Sequence, residues 1–321
     1  MIGVCPRLES NFLDVLRDHT AGDPMREAVK WTDLTRREIS RRLGELGTPA
    51  GRGVVKQLLK KHGYVKRKAR KKVEMGPRHP DRNAQVENIA RLKQEYVAAG
   101  QPVVSIDTKK KELLGNFYRD GKLYTQEAVE VFDHDFPSAA SGAVFPHGLY
   151  DLKLNRAHIN LGTSHETSEF ACDSIERWWE QHGRRQYPQA TKLLLLCDGG
   201  GSNSASRYVF KEQLQKLADR LRLELRVAHY PPYCSKYNPI EHRLFPHVTR
   251  ACQGVVFHTT QIVKGLMEKT QTRTGLQVTV DIIDKVYEVG CKAAKGFKET
   301  MKIAFDSLLP KWNYRAIPTT S

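Results

Sequence analysis

Lys192-Leu-Leu-Leu-Leu-Cys-Asp198-Gly-Gly-Gly-Ser-Asn203 is the stretch on which the fold turns. Its uninterrupted apolar run, Leu193 to Cys197, has the pattern of a strand buried on both faces. An aspartate directly after such a strand sits at the carboxyl edge, where open α/β sheets place their sites. The glycines that follow let the backbone turn sharply and leave room for a ligand to approach. No G-x-x-x-x-G-K-[ST] pattern is present, which argues against a nucleotide-binding P-loop. The plain alternative for Asp198 is a cap on the next helix.

Upstream, Val103-Val-Ser-Ile106 repeats the arrangement and ends at Asp107, followed by Thr108-Lys-Lys-Lys111. Two aspartates at the ends of neighbouring strands repel one another unless a cation lies between them, which pairs them as candidate metal ligands. Lys109 and Lys110 are placed to hold substrate phosphates. Downstream, Tyr230-Pro-Pro-Tyr-Cys-Ser-Lys-Tyr-Asn-Pro-Ile-Glu241 leads into a helix. Asn238 suits its N-cap, Pro239 its first position and Glu241 its third. Glu241 could close a capping box or meet ions at the strand ends.

Between these points, strands alternate with helices. Strands are expected at 144–152, 158–162 and 223–228, and helices at 166–183 and 204–221. Asp120-Gly121 within Asn116–Tyr124 reads as a hairpin turn. The expected fold class is α/β, a mixed central sheet flanked by helices over residues 101–321. A helix near Ala84–Ala99 connects to it through residues 76–100.

Residues 1–75 read as helical. Thr35 with Glu38 has the form of a capping box, and Leu34, Ile39, Leu43 and Leu46 follow at helical spacing. Gly47-Thr-Pro49 breaks the chain before a second apolar stripe at Val54, Val55, Leu58 and Leu59, the outline of a helix-turn-helix. Gly51 and Gly53 each weaken that second helix by about 1 kcal/mol relative to alanine. Helix hairpins of this kind also pack in proteins that never meet DNA.

The net charge of +16 makes polyanions, nucleic acid above all, the natural partner. Residues 1–90 hold 20 Lys and Arg against 11 Asp and Glu. The candidate DNA contacts are Arg52, Lys56, Lys60 and Lys61, then the solvated run Lys66, Arg67, Lys68, Arg70, Lys71 and Lys72. That run lacks the apolar face of a membrane-surface helix. No stretch approaches the ~18 apolar residues that cross a bilayer. Six scattered cysteines without C-x-x-C spacing argue against zinc and for reduced thiols in the cytosol.

The motifs together resemble a known family. Tyr230-Pro-Pro-Tyr through Asn238-Pro-Ile-Glu241 is similar to a segment of DDE transposases, the mariner-like superfamily included. Ile106-Asp-Thr-Lys-Lys-Lys-Glu-Leu-Leu-Gly-Asn-Phe117, His134-Asp-Phe-Pro137, Cys197-Asp-Gly-Gly-Gly-Ser-Asn203, Asn238-Pro-Ile-Glu-His-Arg-Leu-Phe245 and Trp312-Asn-Tyr-Arg-Ala-Ile-Pro318 look like the Rhodopirellula-type DDE transposases of bacterial insertion sequences. Cys234 and Tyr237 depart from the residues common there, and members usually carry a further DNA-binding region upstream.

The resemblance implies a ribonuclease-H-like domain with Asp107, Asp198 and Glu241 as catalytic, metal-holding triad. It implies two Mg²⁺ (or Mn²⁺) ions, phosphodiester hydrolysis and strand transfer. Double-stranded DNA, as transposon ends and target, would be the partner, with a homodimer or higher synaptic assembly at the bacterial nucleoid. Asn203, Asn238 and His242 are candidates for site support; His229 and His247 also lie close in sequence. The rival readings are a non-catalytic helix-turn-helix regulator and another ribonuclease-H-like nuclease.

Overall fold

In a computed structural model, the described residues are 6–17, 19–23, 26–67 and 79–319. The chain divides into two compact units, Met1–Val73 and Glu74–Ser321.

The first unit holds α1 (Leu8–Arg17), an antiparallel pair β1 (Thr20–Asp23) and β2 (Arg26–Thr32), α2 (Arg36–Glu45) and α3 (Arg52–Lys61). The strand pair corrects the expectation of an all-helical segment; Thr20–Thr32 shows no helical apolar period to mark it. The Thr35–Glu38 capping box forms as expected, with Thr35 N–H donating to Glu38 Oε2 at 2.7 Å. Gly47 takes a left-handed φ of +72° in the turn after α2. Asn11 Nδ2 donates to Leu46 O and Thr48 Oγ1, pinning α1 to that turn. Phe12, Leu16, Ile39, Leu43, Val55 and Leu58 bury the unit's core. α3 forms from Arg52 despite its glycines, because Val55 and Leu58 are fully buried; packing overrides the propensity cost.

The second unit runs α4 (Arg82–Ala98), β3 (Val103–Thr108), β4 (Glu112–Leu114), β5 (Gly142–Asp151), β6 (Arg156–Gly162), α5 (Ser168–Trp178) and α6 (Arg184–Gln186). Then follow β7 (Lys192–Asp198), α7 (Tyr208–Leu221), β8 (Glu224–Tyr230), α8 (Pro239–Arg243), α9 (Phe245–Ala251) and α10 (Thr260–Glu268). β9 (Gln277–Ile283), α11 (Phe297–Thr300), β10 (Ile303–Phe305) and β11 (Asn313–Ala316) close it. The described strands form one mixed sheet in the order β10-β11-β8-β7-β3-β5-β6-β9, with β4 pairing β5. β3, β7 and β8 are parallel neighbours, while β5 runs antiparallel to both β3 and β6. This is the ribonuclease-H-like mixed sheet that the resemblance implies.

The leucine run explains itself in the packing. Leu193 and Leu195 face Ile175, Trp178, Phe210 and Leu214 of α5 and α7. Leu194 and Leu196 face Ile89, Leu92 and Tyr96 of α4. Every position of β7 between Lys192 and Asp198 is therefore apolar because helices cover both faces. Beyond β5, a third cluster joins Tyr150, Ile159 and Leu161 to Ile240, Leu244 and Val248.

The expected hairpin at Asn116–Tyr124 is absent: none of 115–135 is strand. Gly121 has φ +138°, and a Cβ there would stand 2.7 Å from both Gln253 Cβ and Gly254 N. Gly254 N–H donates to Asp120 O at 3.2 Å. The Asp-Gly pair thus docks a loop onto the turn at Gln253-Gly254. The hairpin lies instead between β5 and β6, with Asn155 at φ +52° in its turn. Among the described residues no helix is long and apolar enough to cross a membrane.

Candidate active site

β3 and β7 pair in parallel through Val103–Leu194, Val104–Leu195 and Ser105–Leu196. Two residues further along each strand stand Asp107 and Asp198, side by side at the carboxyl edge. On both strands the aspartate shares its face with the residues that contact α4, since side chains alternate.

Glu241 reaches the same edge because α8 is stitched to β3. Ser105 Oγ bonds Asn238 Oδ1, Ile240 N–H donates to Ser105 Oγ at 3.1 Å, and Asn238 Nδ2 donates to Ile106 O at 3.3 Å. Asn238 is wholly buried. It makes no side-chain cap bond, so its role is to clamp α8 against the strand rather than to cap it; the buried hydroxyl of Ser105 takes over the first-turn N–H. Gly148, opposite Asp107 in register, completes the fit. A Cβ there would lie 2.9 Å from Ile240 Cδ1, 3.0 Å from Phe245 Cε1 and 3.2 Å from Leu244 Cδ2. A bare backbone at this one strand position lets the helix that carries Glu241 lie close over β5.

The three carboxylates are near enough to influence one another's protonation. Asp107 is pushed up to about 8, first by burial, then by the charge of Asp198, then by a hydrogen bond and charge from Glu241. Asp198 is also raised, by burial and by Glu241 and Glu166, against a bond from Gly200 N–H. Half-buried like charges favour protonation, and a hard divalent cation would relieve them with the all-oxygen donor set that Mg²⁺ or Mn²⁺ takes. The donor chemistry fits such ions. Among the described residues, no three His, Cys, Asp or Glu side chains stand at ligand spacing as they are now arranged.

Glu166, which no motif in the sequence marks, is the fourth acidic group at this edge. A Cβ on Gly201 would stand 3.2 Å from its Oε1. His229 lies beneath the edge, fully buried: Nδ1 donates to Asp198 O at 2.8 Å and Tyr314 O–H donates to Nε2 at 2.9 Å. Burial holds its pKa down at about 4, so it is a neutral prop for the Asp198 backbone. Lys211 Nζ donates to Ala205 O at 2.6 Å, bracing the loop after Asp198.

The remaining residues that the sequence singles out are more scattered. Lys109 is ion-paired with Glu112, which also takes Arg119; Lys110 is exposed. Asn203 is buried in the turn Gly201–Asn203, with no described partner for Oδ1. His242 is exposed and its Nε2 bonds the Lys236 carbonyl. His247 lies on α9. In the first unit, Lys61 pairs with Glu9 at 2.6 Å, while Arg52, Lys56 and Lys60 are exposed along α3, as are Lys66 and Arg67 beyond it. Lys68, Arg70, Lys71 and Lys72 lie outside the described residues.

The structure thus brings two edge aspartates of a ribonuclease-H-like mixed sheet near a helix-borne glutamate. The chain belongs to the family described as the Rhodopirellula transposase DDE domain, whose sequence model matches residues 11–318. No curated protein matches the chain. Among solved structures, it is similar to the Mos1 transposase paired-end complex with left transposon end (TM-score 0.46, 13% identity, covering 81% of this chain and 70% of that one). The Mos1 mariner paired-end complex with Mn gives the same figures. The Mos1 strand transfer complex gives a TM-score of 0.46 at 13% identity, over 81% and 69% of the two chains.

Proposed function

We propose that this chain is the transposase of an insertion sequence, cutting DNA at the element's end and joining the freed end to a target. The observation that carries the reading is the shared electrostatics of Asp107, Asp198 and Glu241 at one sheet edge. In the first step, water attacks the scissile phosphorus and the 3′-oxygen leaves with a proton. In the second, that 3′-oxygen attacks a target phosphorus and displaces another 3′-oxygen, so bonds broken and formed balance. Mg²⁺ or Mn²⁺ ions, when bound, supply charge neutralisation at the attacking and leaving oxygens, and Asp107, Asp198 and Glu241 are the residues that would hold them. Ser105, Asn238 and Gly148 fix Glu241 relative to Asp107, and His229 and Lys211 fix the Asp198 backbone and its loop; orientation of this kind is worth orders of magnitude in rate.

Residues 1–75 are assigned to DNA recognition, with Arg52, Lys56 and Lys60 of α3 and Lys66 and Arg67 beyond it as phosphate contacts. The partner is double-stranded DNA, both element ends and target, brought together in a dimer or larger synaptic assembly. The deciding experiment supplies a pre-cleaved duplex with a free 3′-hydroxyl, a plasmid target and Mg²⁺. Joined product supports the transposase; nicking of intact duplex without joining supports a simple nuclease, and neither product supports a binding protein.

A further inference from the structure

On the face of the sheet turned away from Asp107, two imidazoles and a hydroxyl stand together that the chemistry at the carboxylates does not use. Asp107 shares its face with the α4 contacts, so Ile106 points the other way. Its register partner Leu149 pairs in turn with His158 of β6, and His158 pairs with Thr279 of the edge strand β9. His158 Nδ1 stands 2.7 Å from Thr279 Oγ1 and 3.2 Å from His182 Nε2, and the latter two atoms are 3.3 Å apart. The three atoms close a triangle. Ligand nitrogens about 2.0–2.1 Å from a tetrahedral ion lie about 3.3–3.4 Å from one another, so two of its edges already match. The third would open by about 0.6 Å as an ion replaces the hydrogen bond.

The surroundings decide which lone pairs face that triangle. Asn160, wholly buried, donates from Nδ2 to Ser174 O at 3.3 Å, which turns its Oδ1 to His158 Nε2, also at 3.3 Å. Asp281 Oδ2 stands 3.9 Å from the same nitrogen and also faces Arg177 and Lys264, at 3.9 and 4.0 Å. With acceptors on that side, the His158 proton sits on Nε2 and the Nδ1 lone pair points into the triangle. A far N–H anchored on a carbonyl or carboxylate is what orients a metal-ligating imidazole. Among the described residues no bond fixes His182 Nδ1, so this ring can carry its proton there and leave Nε2 its lone pair.

A second observation is the backbone that delivers His182. Trp179–Gly183 is a π turn between α5 and α6, a rare geometry that occurs frequently at functional positions. Gly183 closes it without a side chain: a Cβ there would stand 2.5 Å from Trp179 Cε3. His182 is half-exposed and Thr279 exposed, so the triangle opens to solvent, with His158 as its buried corner.

We propose that His158, His182 and Thr279 form a second metal site, apart from the carboxylate edge, for a borderline divalent ion of the zinc type. Two imidazoles and a hydroxyl select such an ion over Mg²⁺, which takes oxygen ligands in octahedral geometry. Its role is structural: the ion ties the edge strand β9 and the turn between α5 and α6 to β6. The proposal stands independently of the transposase reading.

The test titrates Co²⁺ into the untagged, metal-free full chain in excess Mg²⁺, which fills oxygen sites, and reads the visible spectrum. One Co²⁺ with the strong bands of a four-coordinate, nitrogen-bearing site is expected, and Zn²⁺ should displace it; Co²⁺ held by carboxylates and water gives only faint bands. His182→Gln keeps a hydrogen-bonding side chain at the half-exposed corner, so its metal-free melting temperature should match the parent's. It should weaken Co²⁺ binding by more than about 100-fold, and Asp281→Asn, which removes an outer partner, by about tenfold. Zn²⁺ should raise the melting temperature of the parent and leave that of His182→Gln unchanged. A parent chain without the strong bands, or bands that persist in His182→Gln, would overturn the site. DNA nicking in Mg²⁺ should be unchanged in His182→Gln; its loss there would assign the cluster to the reaction and overturn the structural role.

Discussion

The two charged regions of this chain handle like charge in opposite ways. Along α3, Arg52, Lys56 and Lys60 lie exposed in water, where their mutual repulsion is screened and each keeps its charge at little cost. At the carboxyl edge, Asp107, Asp198 and Glu241 are half-buried, and burial first, then the neighbouring carboxylates, push Asp107 up to about 8. Charge spread over a solvated face serves affinity for a polyanion. Charge concentrated against its own preference creates a need for a cation, and the packing of α8 on β3 and β5 maintains that concentration.

The largest effect expected from this contrast is at the edge. Asp198→Asn should leave DNA binding within about twofold and reduce Mg²⁺-dependent cleavage by about 10³-fold or more, as loss of one member of a cooperating set does. Gel-shift and nicking assays on the same preparation check it, and persistent nicking would break the distinction between the two regions. Next is Gly148→Ala, whose methyl group would push against Ile240, Phe245 and Leu244. A shift of about 1 Å in α8 would cost about 10²-fold in rate, with overpacking worth about 1–3 kcal/mol in a denaturant titration.

What the sequence made legible follows from where the physics is local. Asp198 stood out because helices on both faces require the apolar run before it, and a run is visible in one dimension. The α2 capping box was visible for the same reason. Gly148 and Ser105 were not: nothing in Val144–Leu152 or Val103–Ile106 says which helix will cross there. Asn238 was legible as a residue that matters but not for its role, since a cap and a clamp look alike until the strand beneath is known. Asp120-Gly121 carried a sound turn signal, yet the partner that used it was the distant Gln253-Gly254 turn. Glu166 follows β6 without any motif, and only the fold brings it toward Asp198.

Smaller effects sharpen the comparison further. Changing Arg52, Lys56 and Lys60 together to Gln should weaken duplex binding about tenfold at moderate salt. It should also reduce the slope of log affinity against log salt by about 3, near one for each phosphate no longer neutralised. A slope unchanged by the triple variant would remove α3 from the interface.

The smallest effect is in stability. Because Asp107 titrates near 8 in the folded chain and near 3.8 as a free side chain, the folded state holds a proton that the unfolded state has lost between those values. Stability therefore falls as pH rises through that window. Asp107→Asn should reduce that slope, leaving the smaller share that Asp198 contributes, and raise the metal-free melting temperature by a few degrees in mildly alkaline buffer, while Mg²⁺ should stabilise the parent chain more than the variant. Equal pH slopes for parent and variant would show that the edge is not under this strain.

The most direct test of the account is anomalous diffraction from crystals soaked in Mn²⁺. The account predicts a Mn²⁺ peak bounded by carboxylate oxygens of Asp107, Asp198 and Glu241. Manganese bound elsewhere, with Glu241 turned away from the two strand ends, would contradict it.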